Sequence, residues 1–327
     1  MKLKILLKPI IFTAGLFLIL FVLSNLFLPY NSINEGPYKK MNGVLNAPKG
    51  TIDYVTLGDS ECSTSISPME LWRKYGYTGF NCGVPGQRLQ DTYYLLEQLL
   101  TKQTPKVVLL ETNAFYRDFK YSNALSDAVD KATQNLFPVY KYHNSWKNFS
   151  LGILEEAKKK PGPGIPKVYQ GFHYTTLTKP YIGGPYVHKT RKAQPIGDQP
   201  LIYLNKITEL CKENNIQLIL YSTPSPLCWT YEKHNSAAAF AKENSLPYVD
   251  MNLHTKSIGL NWSLDTRDKG NHLNFYGAKK VTDFMGAYLS KHTSLPDHRH
   301  QTDYASWHKA LKKYLTLIKY NKPKAGI

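Results

Sequence analysis

The chain has 327 residues, enough for one large domain or two modest ones with a substantial core. Its 41 basic and 24 acidic residues leave a net charge of +17, which favours anionic partners: nucleic acid, anionic lipid headgroups or acidic envelope polymers. Its aromatics form no RNA-binding signature, and Cys62, Cys82, Cys211 and Cys228 lack the spacing of a zinc site, so neither class is indicated.

Location narrows the partners further. Lys2, Lys4 and Lys8 precede an uncharged stretch, residues 9–28, and about twenty such residues suffice for one membrane crossing. The next basic residue is Lys39, so the positive-inside rule keeps the N-terminus cytoplasmic and puts the remainder outside. A cleaved signal peptide has a shorter apolar core and a small-residue cleavage site, whereas this run ends Leu26-Phe27-Leu28-Pro29. The stretch therefore reads as an uncleaved signal anchor. An external catalytic portion argues against nucleic acid as the partner. Disulfides are permitted there, and Cys62 and Cys82, each after a predicted strand, could lie close together. Cys211 reads as a buried free thiol within a helix.

Residues 30–50 are polar and turn-rich, a linker. Strand and helix then alternate. Residues 52–57, 78–82, 107–110, 216–221 and 247–250 read as strands, with helices over 68–75, 89–100, 201–214 and around 237–243. The pattern predicts an α/β three-layer sandwich with a mostly parallel five-stranded sheet. Its core would occupy 51–116 and 200–295, after an N-terminal stub and anchor over 1–29. Residues 117–199, with two Pro/Gly-rich loops and His143, Trp146, His173 and His188, interrupt the alternation as an inserted segment. That segment either caps a pocket or serves as a solvated spacer. Residues 296–327 carry Trp307, Leu311, Tyr314 and Ile318 at helical spacing among lysines, a basic amphipathic helix. Such a helix packs back on its own domain more often than it lies on anionic lipid.

Four segments end strands or precede the C-terminal core helix, and each has a chemical use. Gly58-Asp59-Ser60 offers a hydroxyl nucleophile at the carboxyl edge of the sheet, where open α/β folds place their sites. Serine needs a base, and the base needs a carboxylate to fix its tautomer; His272 and Asp268 supply these. The developing oxyanion needs fixed donors, which Ser60 and Gly86 can offer from the backbone and Asn113 from its side chain. Asp59, Asn81, His143, Trp146 and Asn274 are further candidates for substrate contact.

In this order the segments resemble the SGNH (GDSL-type) hydrolase superfamily over residues 52–292. Gly58-Asp59-Ser60 matches the first block, residues 81–86 the second with Gly86 at the oxyanion glycine, Asn113 the third and His272 the last. Three departures stand out. Glu111-Thr112-Asn113-Ala114 replaces Gly-x-Asn-Asp, and Glu61 replaces the leucine after the nucleophile. Asp268 precedes His272 by four residues instead of three, so that Gly270 absorbs the extra residue or Asp265 serves instead. With the anchor, these features look like the membrane-anchored cell-surface branch, which includes proteins similar to the lipoteichoic-acid D-alanyl transfer and exopolysaccharide O-acetylation proteins. The resemblance implies an extracytoplasmic serine esterase or O-acyltransferase acting on a surface polysaccharide or teichoic-acid-like polymer. It implies no cofactor and no metal, and a multi-spanning membrane O-acyltransferase as partner. The alternative is a catalytically degenerate relative that binds or helps assemble anionic envelope polymers.

Overall fold

Apolar runs without alternation are expected where a parallel sheet is covered on both faces. In the computed structural model, which describes residues 2–27, 36–117 and 167–320, five strands form one sheet, with such a run at residues 107–110. They are β1 (Tyr54–Leu57), β2 (Gly79–Asn81), β3 (Val107–Glu111), β4 (Gln217–Ser222) and β5 (Tyr248–Asp250). All pairings are parallel, in the order β2-β1-β3-β4-β5. Thr56 stands opposite Asn81 on one side and Leu109 on the other. The chain leaves β1 in one direction for β2 and crosses back to β3, so the carboxyl ends of β1 and β3 flank a topological switch point.

The period-two geometry of the strands sends alternate residues to opposite faces. On one face Val55, Leu57, Val108, Leu110, Leu218 and Leu220 pack in a core with Leu96, Leu204 and Phe240. On the other, Tyr54, Leu109, Ile219 and Tyr221 meet Leu71, Val281, Met285 and Leu289. The expected three layers result. The chain divides into two compact units, residues 1–39 with 119–164 and residues 40–118 with 165–327. The sheet lies in the second. In the first, α1 (Lys2–Phe27) carries Pro9 and exposes Ile11, Phe12, Phe17, Leu18 and Phe21. Among the described residues no helix is long and apolar enough to cross a membrane.

In chain order, α2 (Gly36–Leu45) and α3 (Ser60–Ser65) precede α4 (Pro68–Tyr75). The last starts on a proline and ends at Gly76 in the left-handed conformation, φ 72°, a conformation glycine adopts without penalty. Then come α5 (Leu89–Leu100), α6 (Asp198–Glu213), α7 (Tyr231–Glu243), α8 (Phe275–His292) and α9 (Ala305–Tyr320). The apolar stripe of α9 docks on the core: Trp307 packs on Trp72 with ring centroids 5.3 Å apart, and the Tyr314 hydroxyl donates to Glu70 Oε1 at 3.0 Å. Lys309, Lys312 and Lys313 face outward.

Of the expected inserted segment, residues 118–166, including His143 and Trp146, lie outside the described residues. Its described part runs extended along the loop before α8. Lys179 and Tyr181 donate backbone N–H groups to Thr266 O and Trp262 O, each at 3.0 Å. All four cysteines are free thiols, and Cys62, Cys82 and Cys211 are buried.

Candidate active site

The turn between β1 and α3 sets the first functional group. Gly58 has φ +145°, where a side chain is strained, and a Cβ there would lie 2.8 Å from Glu111 Cβ. Gly58→Ala is therefore expected to cost about 1–3 kcal/mol, read as a lower urea midpoint at constant m-value. Asp59 then caps α3. Its Oδ1 accepts from Glu61 N at 2.9 Å, and its Oδ2 accepts from Asn113 Nδ2 at 2.7 Å and Arg117 Nε at 2.5 Å. With both oxygens engaged and no exposure, Asp59 braces the turn and does not face substrate. Ser60 is the first residue of α3, so its N–H belongs to the unpaired amides of a helix start. Its hydroxyl makes no hydrogen bond with another described side chain.

The second segment fastens that helix. Asn81 Nδ2 donates to Cys62 O and Ile66 O, both at 2.9 Å, while its Oδ1 accepts from Gly83 N at 3.0 Å. Fully buried and satisfied, Asn81 is a clamp on α3, which corrects its expected role in substrate contact. Residues 84–87 then make a turn closed by Gln87 N donating to Val84 O, with Pro85 and Gly86 (φ +76°) at its centre. Proline followed by a positive-φ glycine is the type II pattern. Val84 N donates to Gly58 O, so the exposed Gly86 amide sits on a turn tied to the nucleophile turn.

The third functional group comes from the loop before α8. Asp268 grips His272 twice: Oδ1 accepts from the backbone N at 2.6 Å and Oδ2 pairs with ring Nδ1 at 2.6 Å. The four-residue spacing closes because Lys269 (φ +65°) and Gly270 (φ +94°) both take the left-handed conformation. Asp265 does not compete. Its Oδ2 accepts from Asn261 N at 2.7 Å and from Lys280 Nζ at 2.6 Å. Asn274, another expected substrate contact, caps α8 instead: its Oδ1 accepts from Tyr276 N and Gly277 N, and its Nδ2 donates to Leu264 O at 2.7 Å.

Buried acids surround these groups, and only the fold reveals their direction. Glu61 points inward, with Oε1 3.8 Å from His272 Nε2. Glu111, at the end of β3, accepts from Asn113 N at 2.8 Å and Thr223 N at 3.1 Å. Burial, reinforced by the charge on Asp59, pushes both carboxyls well above the ordinary range. Glu61, Glu111, Asn113, Cys228 and Lys233 contribute to the wall of a small, partly open pocket. Lys233 Nζ donates to Cys228 O at 2.5 Å and lies 3.4 Å from Asn113 Oδ1. In the sequence, a Glu directly after the serine and another closing an apolar strand were the available signals for these acids; nothing local marked Arg117 or Lys233. Among the described residues no group of three or more His, Cys, Asp or Glu could hold a metal ion.

The arrangement can do nucleophilic chemistry. A carboxylate on Nδ1 puts the ring proton there and leaves Nε2 as the acceptor, 3.8 Å from the carboxyl of Glu61, the residue after Ser60. No family model matches the chain, and no characterised relative matches it in sequence. Its fold is similar to that of the lipase/acylhydrolase from Enterococcus faecalis, at 11% identity and TM-score 0.38, over 75% of this chain and 99% of that one. It is also similar to a protein from Lactobacillus plantarum, at 9% identity and TM-score 0.40 over 74% and 98%. A GDSL-like lipase from Bacteroides thetaiotaomicron matches at 14% identity and TM-score 0.32 over 73% and 85%. At these values none of the three carries weight for activity, which has to be read from the site.

Proposed function

We propose that the chain is a membrane-held serine esterase or O-acyltransferase that works through an acyl-serine intermediate. The observation that carries this reading is the two-point grip of Asp268 on His272, whose free ring nitrogen faces the residue next to Ser60. Ser60 Oγ attacks the ester carbonyl and passes its proton to His272 Nε2. The Ser60 and Gly86 amides and the Asn113 side chain meet the oxyanion, and His272 returns the proton to the departing alcohol. Water then completes hydrolysis, or a sugar hydroxyl completes transfer.

The acceptor we infer is a surface polysaccharide or teichoic-acid-like polymer, supported by the net charge of +17. The uncharged stretch of residues 9–28 and the exposed apolar side chains of α1 support attachment to the bilayer, with the core outside. A multi-spanning acyltransferase is the partner that transfer would need. Retention of the full chain in carbonate-washed membranes, with the core open to protease added to intact cells, checks the attachment and its direction.

The direct test is hydrolysis of a short-chain nitrophenyl ester by the full chain in detergent. Ser60→Ala and His272→Ala are each expected to lower kcat by about 10³-fold or more while circular dichroism stays unchanged. Wild-type turnover in Ser60→Ala would end the serine mechanism. Absence of turnover in the wild type as well shifts weight to binding of envelope polymer.

A further inference from the structure

One buried group faces His272 that the reaction above does not use. Glu61 is 1% exposed, and its carboxyl stands on the ring nitrogen opposite Asp268. Its Oε2 has no hydrogen-bond partner among the described residues. The donors near Oε1 are shared, the Cys228 thiol between Glu61 and Asn271. Ser225 Oγ is 3.4 Å away but 2.7 Å from Asn271 O, and the Cys228 thiol is 2.8 Å from Asn271 Oδ1. A buried carboxylate with one oxygen unpartnered and only shared donors at the other costs several kcal/mol, so this carboxyl has to keep a proton or meet a cation. The imidazole is the group placed to settle which.

We propose that Glu61 and His272 share one proton, and that Glu61 thereby sets how much of His272 is available as a base to Ser60. With the proton on Glu61, Nε2 is free to accept from the Ser60 hydroxyl. With the proton on Nε2, the pair is ionic and the base is occupied. This rests on the reading of Ser60 and His272 as nucleophile and base.

The surroundings set the balance from every side. Asp59 before α3, Glu111 at the end of β3 and Asp268 on the His272 loop all oppose ionisation of Glu61, as does burial. Tyr186 of the extended segment and Cys228 after β4 face Glu61 as neutral groups whose own ionisation burial delays. Lys233 of α7 lines the same cavity and pulls the other way. On the imidazole side stand Arg267, 3.6 Å from Asp268, and His173, which burial and the Arg267 charge keep neutral. Burial and the neighbouring acids thus hold the Glu61 carboxyl well above its ordinary range, and two proton sites this close in position are coupled.

A shared proton leaves a signature. The kcat/KM of wild type should rise with pH in two steps, the first reflecting the fraction of pairs with the proton on Glu61, the second its final loss. Glu61→Gln removes one site, so its profile should rise in a single step. Between the two wild-type steps the variant should be faster by about tenfold or more, the scale of one opposing charge in ion-pair range. A merely structural role would scale the profile without changing its shape. Superimposable one-step profiles for wild type and Glu61→Gln would overturn the proposal. Should Glu61→Gln fail to fold, Glu61→Leu serves the same comparison. The second arm needs no turnover: in the full chain labelled at its histidines, the His272 imidazole resonance should titrate in two steps, and in one step in the variant. A single step in wild type overturns the sharing even if ester hydrolysis holds, whereas two steps without hydrolysis would count against the esterase reading alone.

Discussion

Asp268→Asn lowers the kcat of ester hydrolysis by about three to four orders of magnitude while leaving the melting curve nearly unchanged. The asymmetry follows from the two contacts of the carboxylate. The side-chain oxygen of asparagine still accepts from His272 N, so the loop keeps its closure through Lys269 and Gly270. The amide nitrogen takes the place of Oδ2, where it cannot accept from Nδ1–H and donates to Nδ1 instead. The ring proton then moves to Nε2, which is the atom that has to accept from Ser60. Asp265→Asn is the control. It loses charge at Lys280 and Asn261, not at the imidazole, and should cost stability with kcat within about threefold of wild type. A kcat for Asp268→Asn within tenfold of wild type would show that this carboxylate does not orient the base.

Trp307→Ala destabilises the fold by about 3–5 kcal/mol, measured as a shift in urea midpoint. Trp307 covers Trp72, one of the largest fully buried side chains, and the helix that carries it also brings the Tyr314 hydroxyl to the buried carboxylate of Glu70. Removing the indole opens a cavity at Trp72 and loosens the tyrosine that satisfies Glu70, which then relies on Arg73. If α9 lay instead on a lipid surface, its indole would leave the fold without consequence and the loss would stay below about 1 kcal/mol. The measurement thus separates the two uses of a basic amphipathic helix.

Much of this molecule was legible before its structure. Short uninterrupted runs of β-branched and leucine residues such as 107–110, bounded by polar turns, mark strands covered on both faces of a sheet. The five strands, their parallel pairing and the helices over 68–75 and 89–100 followed from such local patterns. The positions of Ser60 and Asn113 after strand ends followed too, since chain order puts them at one edge of the sheet.

The direction of side chains was a different matter. Asp59, Asn81 and Asn274 were candidates for meeting substrate, yet all three turn inward and spend their polar atoms on backbone and side-chain groups. A polar residue at a strand end serves equally well as brace or contact, and its neighbours across the fold choose. Asp268 was the expected partner of His272 despite its four-residue spacing, with Asp265 as the alternative, and two left-handed residues, Lys269 and Gly270, close that spacing. Glu61 read as a departure from pattern, and became a second acid on the imidazole only through the packing of α3 under that loop.

The sequence by itself thus determined the elements, their order and the residue types available for chemistry, because periodicity, glycine turns and apolar runs act over a few residues. Tertiary structure alone decided that Glu61 also faces the histidine, which asparagines are braces, and that the last helix closes over Trp72. Those outcomes depend on contacts between residues as far apart as Glu70 and Tyr314, whose burial no local pattern encodes.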